Sequence, residues 1–294
     1  MIQTMKLVFG VAALIFVTTP ATSAAERVLS PDGRINVEFY LDDKGTPIYT
    51  VDFLGEKIIR PSHLGFELKD DGMITDGFEV TGVEHDRFDE TWKPVWGENS
   101  EIRNHYNSMI VSMEQGTGRD KVKMDVEFRV FDDGVGFRYI FPEQKKKEFV
   151  IADELTQFAM GGDYKAWWIP GDYDTQEYEY FISKLHEIPS RAANLRFDNA
   201  STTRFANTGV QTALQMKTPS GKYVNIHEAA LIDYPAMHLN LDIPSMTFTS
   251  WLTPMPDGTK ATVKTPFPTP WRVVMLGDKA TDILASNIIY NLNE

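Results

Sequence analysis

From Val122 to Val130 the chain alternates with a period of two: Val122, Met124, Val126, Phe128 and Val130 are separated by Lys123, Asp125, Glu127 and Arg129. A helix cannot put those five apolar residues on one face, but a half-buried strand does so automatically. Asp132, Asp133 and Gly134 then supply turn chemistry, and Phe137, Tyr139 and Phe141 resume the alternation up to Pro142. This predicts a β-hairpin. The pattern returns at Ile35, Val37 and Phe39, and at Tyr49, Val51 and Phe53. Shorter apolar runs at 210–216, 223–226, 246–252 and 273–276 read the same way, separated by Lys44-Gly45, Asp71-Gly72, Ser220-Gly221 and Asp257-Gly258.

Helical signals are few. Residues 278–287 predict one helix, with Asp278 placed to cap it and Ile283 and Leu284 on an apolar face. A second short helix fits 177–185, where Tyr178, Phe181, Ile182 and Leu185 fall at helical spacing. The last residues, Ile288 to Glu294, read as an apolar, strand-like stretch. Many short strands with no βαβ alternation predict an all-β fold, a large sandwich of antiparallel sheets with one or two short helices.

The first 25 residues read as a signal peptide. A weakly basic start with Lys6 precedes an apolar run at 7–17, too short to span a bilayer. Ala21, Ser23, Ala24 and Ala25 follow, with cleavage expected near Ala24 or Ala25. That predicts export, best matched by the periplasm. About 270 residues remain for one domain at 26–294. The chain has no cysteine, which removes disulfides, thiolate metal sites and cysteine nucleophiles from consideration. Its 42 acidic against 29 basic residues, net charge −13, argue against nucleic acid as a partner.

Function is best sought between Trp167 and Tyr180, W-W-I-P-G-D-Y-D-T-Q-E-Y-E-Y. Flat rings beside clustered carboxylates suit a sugar ring, a calcium ion, or both. A Pro170-Gly171 turn is expected to place Asp172, Asp174 and Glu177 on a surface loop. The spacing Asp172-x-Asp174-x-x-Glu177 offers oxygen ligands for a hard cation, yet lacks the pattern of an EF-hand; a solvated turn fits it as well. Trp92 to Glu98 forms another aromatic–carboxylate cluster, expected to be a strand end with Trp92 and Trp96 packed in the sandwich. Glu228, inside an apolar run, needs a partner such as Arg272. Trp271 at the strand entrance suits either core packing or an interface. The six histidines show no ligand spacing. No nucleophile elbow, phosphate loop, HExxH or dinucleotide fingerprint occurs.

Taken in order, W-K-P-V-W-G-E-N with I-R-N-H-Y-N, D-D-G-V-G-F-R-Y, W-I-P-G-D-Y-D-T-Q-E-Y, H-E-A-A-L-I-D-Y, S-W-L-T-P, T-P-W-R and I-L-A-S-N resemble the amino-terminal domain of glycoside hydrolase family 97. The likeness is greatest to its periplasmic α-glucosidases of bacterial starch utilisation. It implies a β-super-sandwich that packs on a (β/α)₈ barrel, the barrel carrying the catalytic carboxylates and most ligands of a calcium ion. It implies one calcium ligand from this domain, matched here by Glu177, and a sugar pocket shaped partly by Trp168, Asp172 and Tyr178. The substrates implied are α-linked glucosides or galactosides. Because family chains run several hundred residues further, the expectation is a domain inactive by itself with no catalytic residue of its own: a gene fragment, a frameshifted copy or half of a split enzyme. A stand-alone carbohydrate-binding protein is the alternative, and a bare structural remnant a third.

Overall fold

The computed structural model describes residues 25–118, 121–196 and 198–293; the predicted signal peptide lies almost wholly outside them. Three antiparallel sheets form the fold. The first runs, in spatial order, β1 (Glu26–Leu29), β2 (Ile35–Leu41), β3 (Pro47–Phe53), β4 (Glu56–His63), β12 (Gln157–Met160), β19 (Thr247–Leu252), β18 (Met237–Asp242) and β15 (Gly209–Gln211). The second runs β14 (Phe181–Lys184), β13 (Lys165–Trp168), β16 (Leu214–Lys217), β17 (Tyr223–Ala229), β22 (Trp271–Gly277), β10 (Gly134–Phe141), β9 (Val122–Phe131), β8 (Ile102–Gln115) and β7 (Phe78–Trp92), with β21 (Phe267–Pro268) also on β10. A small third sheet is β20 (Ala261–Lys264), β11 (Glu148–Glu154), β5 (Phe66–Leu68) and β6 (Gly72–Ile74).

The two large sheets face each other. Tyr49 on β3 meets Phe137 on β10 at 4.8 Å between ring centres, and Phe39 on β2 meets Phe128 on β9 at 6.2 Å. The third sheet closes the sandwich, with Phe66 of β5 edge-on to Tyr139 at 4.5 Å. The inward residues of the alternating strands, Val37, Val51, Val126, Phe128 and Ile226 among them, form one continuous core. The fold is therefore a large all-β sandwich, as the alternation predicts. The hairpin stands where expected: Phe131 pairs with Gly134 across Asp132-Asp133. Gly134 is needed there because a Cβ would stand 2.6 Å from the carbonyl oxygen of Val274.

Three local expectations fail, each for a tertiary reason. Residues 177–185 do not form a helix; β14 pairs with the free edge of β13, Phe181 opposite Trp168, and a 3₁₀ turn at Leu185–Glu187 leads into α1 (Ile188–Ala192). Pairing separates the apolar residues that helical spacing had grouped, so Ile182 stays 51 % exposed while Ser183 is buried. The terminal stretch is not a strand but a helix, α3 (Ile288–Leu292). Ile288 and Leu292, four residues apart, share one buried face and cover Trp271 and Met275 on the outer side of the second sheet. The helix before it, α2 (Ala280–Ala285), is shorter than predicted. Asp278 does not cap it, because its carboxylate pairs with Lys222 and Arg34 instead; the Lys279 amide is taken by Asp282 at 2.9 Å. Among the described residues, no helix is long and apolar enough to cross a membrane.

Candidate functional site

The Trp167–Tyr180 segment leaves the second sheet at the end of β13 and crosses towards the first. Pro170 and Gly171 do not make the expected turn: Pro170 bridges Val210 and the Gly171 amide donates to the Gly209 carbonyl at 2.9 Å. Both glycines are required because the Phe205 ring lies across them. A Cβ would come within 2.3 Å of that ring at Gly171 and 2.5 Å at Gly209. The turn comes at Asp172 instead.

Asp172 is 2 % exposed and organises the loop. Its Oδ1 accepts from the amides of Asp174 (2.8 Å), Thr175 (3.3 Å) and Thr203 (2.9 Å), and its Oδ2 accepts from the Tyr178 hydroxyl at 2.6 Å. Burial pushes this carboxyl up, but the bonds from Tyr178 and the three amides outweigh it and hold it below the usual aspartate range. Tyr178 is correspondingly raised, by burial and by its bond to Asp172. The Asp172 carbonyl accepts from Gln211 Nε2 at 3.2 Å and meets His238 Nε2 at 2.9 Å. Asp174 Oδ2 accepts from Ser201 and Thr203 at 2.8 and 2.6 Å. Trp168 is fully buried in the core, donating Nε1 to Ser183 at 3.0 Å. Of the residues expected to shape a sugar pocket, Trp168 is thus buried in the core at the end of β13, and Asp172 and Tyr178 are buried within the loop.

Glu177 is placed differently. Its amide donates to Thr175 Oγ1 at 3.0 Å and its carbonyl accepts from Asn199 Nδ2 at 3.1 Å, so the backbone is pinned on both sides. The side chain is exposed, and among the described residues its carboxylate has no hydrogen bond or ion pair. No three His, Asp or Glu side chains gather to hold a metal among the described residues.

Half-exposed rings lie in the same region; Tyr173 belongs to the 167–180 segment, whereas Phe205 lies in no motif that the sequence offered. Tyr173, Phe205 and Trp251 form a stack: Phe205 lies 5.2 Å from Trp251 at 10° and 5.4 Å from Tyr173 at 23°, with Trp251 Nε1 bonded to the Tyr173 hydroxyl. His238 stands edge-on to Tyr173 and Phe205, and burial lowers its pKa. Trp251 lies in the S-W-L-T-P motif and could have been found there; nothing local marks Phe205.

A second carboxylate centre lies wholly inside. Arg272, fully buried, donates Nε and Nη2 to the two oxygens of Glu154 at 2.8 and 2.6 Å and Nη1 to Glu228 at 2.8 Å. The expected Glu228–Arg272 pair therefore exists, joined by Glu154. Thr156 and Tyr234 complete Glu154, and the Met237 amide donates to Glu228. Burial pushes the Glu228 carboxyl up against the opposing pull of Arg272. Trp271 is core, with the Arg138 and Arg129 guanidiniums 4.2 and 4.7 Å from its ring. Trp92 is half-buried at a strand end, bonded to Asn291 at 2.9 Å, but Trp96 is 88 % exposed and not packed in the sandwich as expected. It lines a cavity of about 430 Å³ between the 94–99 loop and α2 and α3, with Leu284 and Tyr290.

Several known proteins share this chain's pattern. It is 25 % identical over 293 residues to a retaining α-galactosidase of Bacteroides thetaiotaomicron, covering 90 % of this chain and 40 % of that protein. A glycoside hydrolase family 97 enzyme from Pseudoalteromonas sp. strain K8, solved with acarbose, superimposes with a TM-score of 0.81 at 33 % identity, over 92 % of this chain and 38 % of that one. A β-arabinopyranosidase shares the fold at 20 % identity and a TM-score of 0.75, over 90 % of this chain and 42 % of its own. The chain thus spans about two fifths of the length of the relatives it matches. The model of the glycosyl-hydrolase 97 amino-terminal domain matches residues 28–294, and to that family this chain belongs.

Proposed function

We propose that this domain serves a calcium-dependent, exo-acting α-glycosidase of the periplasm, acting on α-linked glucosides or galactosides. In that reading it packs on a (β/α)₈ catalytic barrel and contributes Glu177 to a calcium site whose other ligands belong to the barrel. The observation that carries it is the contrast within one loop: Asp172 and Asp174 spend oxygens on holding the loop, while Glu177 has a fixed backbone and a free carboxylate. A bound calcium would polarise the glycosidic oxygen as a Lewis acid. This chain's own residues orient Glu177, and the same loop region carries the Tyr173–Phe205–Trp251 stack, a surface suited to a sugar ring. The exposed Trp96, Leu284 and Tyr290 are apolar surface of the kind a neighbouring domain covers.

The test begins with the purified chain. Calorimetric titration with calcium chloride should show no micromolar binding, and an aryl α-hexoside should survive incubation. Adding a family barrel in trans should produce calcium-dependent hydrolysis that Glu177→Gln weakens. Hydrolysis by the chain alone, lost on Glu177→Gln, overturns the proposal. Retention of the chain alone on immobilised starch favours the stand-alone carbohydrate-binding reading.

A further inference from the structure

The outer face of the second sheet carries an arrangement that the site above does not use. Strands β14, β13 and β16 place Lys184 opposite Lys165 and Lys165 opposite Lys217, with Tyr223 of β17 opposite Lys217. Directly opposed residues in antiparallel strands have Cβ atoms roughly 5 Å apart, where like charges repel. None of the three lysines has a carboxylate within 4.0 Å among the described residues, in a chain of net charge −13. Two acids close to Lys184 in sequence are committed elsewhere: Asp163 to His186 at 2.7 Å and Glu187 to Arg191 at 3.3 Å. A lysine guarding a sheet edge is a common device and accounts for Lys184 on edge strand β14. It does not account for Lys165 and Lys217, which sit on inner strands.

Beside the row lies apolar and polar surface. Trp167, half-buried, pairs with the exposed Ile182, and the Lys165 ammonium stands 4.9 Å from the Trp167 ring centre. Lys217 stands 4.9 Å from the Tyr223 ring. The Lys184 ammonium donates to the Asp163 carbonyl at 2.9 Å, so what the three lysines share is the lack of a carboxylate. Ammonium groups without a carboxylate partner, beside ring faces, match a sugar chain that bears acidic groups.

We propose that this face is a second binding site, for a polysaccharide carrying sulfate or carboxylate groups. The three lysines hold the acidic groups, and Trp167 and Tyr223 contact the sugar rings. The site lies on the sheet surface and does not depend on Glu177 or calcium.

Binding of the whole chain to dextran sulfate, polygalacturonate, neutral dextran and anionic phospholipid vesicles is compared at low salt and at about 0.3 M sodium chloride, where the Debye length falls to roughly 6 Å. The acidic polysaccharides should bind, neutral dextran should not, and salt should weaken the complex. Which of sulfate and carboxylate is preferred follows from the first two arms. The triple change Lys165→Gln, Lys184→Gln and Lys217→Gln should weaken binding at least tenfold, and Trp167→Ala should weaken it by a smaller factor. Equal removal of charge at Lys44, Lys69 and Lys264 should leave it unchanged. Unaltered binding by the patch variant overturns the proposal, as does an equal loss in the control variant or tighter binding to vesicles than to either polysaccharide. Thermal melts of each variant separate lost binding from lost folding, and relief of the repulsion should leave the patch variant at least as stable as the parent.

Discussion

Two carboxylate centres in this molecule use the same chemistry to opposite ends. At Glu154, Arg272 and Glu228 the charges face inwards, and the strong donors at hand are consumed within the sandwich. At the 172–177 loop the donors are mostly backbone amides, and they satisfy Asp172 while leaving Glu177 outside. Residue type does not separate a structural carboxylate from an available one. The number of donors that the fold brings to each oxygen does.

The comparison breaks most visibly at the buried centre. Arg272→Met leaves Glu154 and Glu228 buried without their counter-charge, and loss of one partner from a buried pair costs about 3–5 kcal/mol. Urea denaturation should show that loss; a change below about 1 kcal/mol would mean that the centre is held by its neutral donors instead.

Asp172→Asn comes next. It weakens the charge-assisted bonds from Tyr178 and the amides, for an expected loss of about 2 kcal/mol near neutral pH. The sign with pH follows from the lowered pKa of Asp172. Its contribution is fully present above the unfolded aspartate value, about 3.9, and fades as pH falls through the folded value. Parent and variant should therefore converge in denaturation experiments below about pH 4, and a gap that stays constant with pH would refute the charge-based account. Glu228, whose pKa is raised, works in the opposite direction: the folded state favours its neutral form, so its titration lowers stability as pH rises.

Tyr178→Phe removes one donor from the same carboxylate and should cost about 1 kcal/mol. Glu177→Gln should alter stability by less than about 0.5 kcal/mol, because its carboxylate holds nothing in the described fold. A large loss there would erase the distinction between the two centres.

How much of this could be read from the chain depends on the range of the forces involved. The 122–141 hairpin was legible because half-burial writes itself into every second residue. Strands β7 and β8, 15 and 14 residues long, are not legible in the sequence: most of β7 is exposed, and the first half of β8 carries no strict alternation. The 288–292 helix looked like a strand because five apolar-rich residues fit either state, and only the packing of Ile288 and Leu292 over Trp271 chooses. In the candidate site, Glu177 was reached through family motifs. Phe205 was not reachable, since its importance lies in crossing Gly171 and Gly209.

The sequence alone determined an all-β chain, the 122–141 hairpin and the segment where carboxylates and rings concentrate, because periodicity and composition are local properties. Tertiary structure alone decided which of those carboxylates stays free. Asp172 is claimed by Thr203 and its carbonyl by Gln211 and His238, residues more than thirty positions away. An oxygen becomes available only when no distant donor reaches it, and that outcome is set by how the sheets pack.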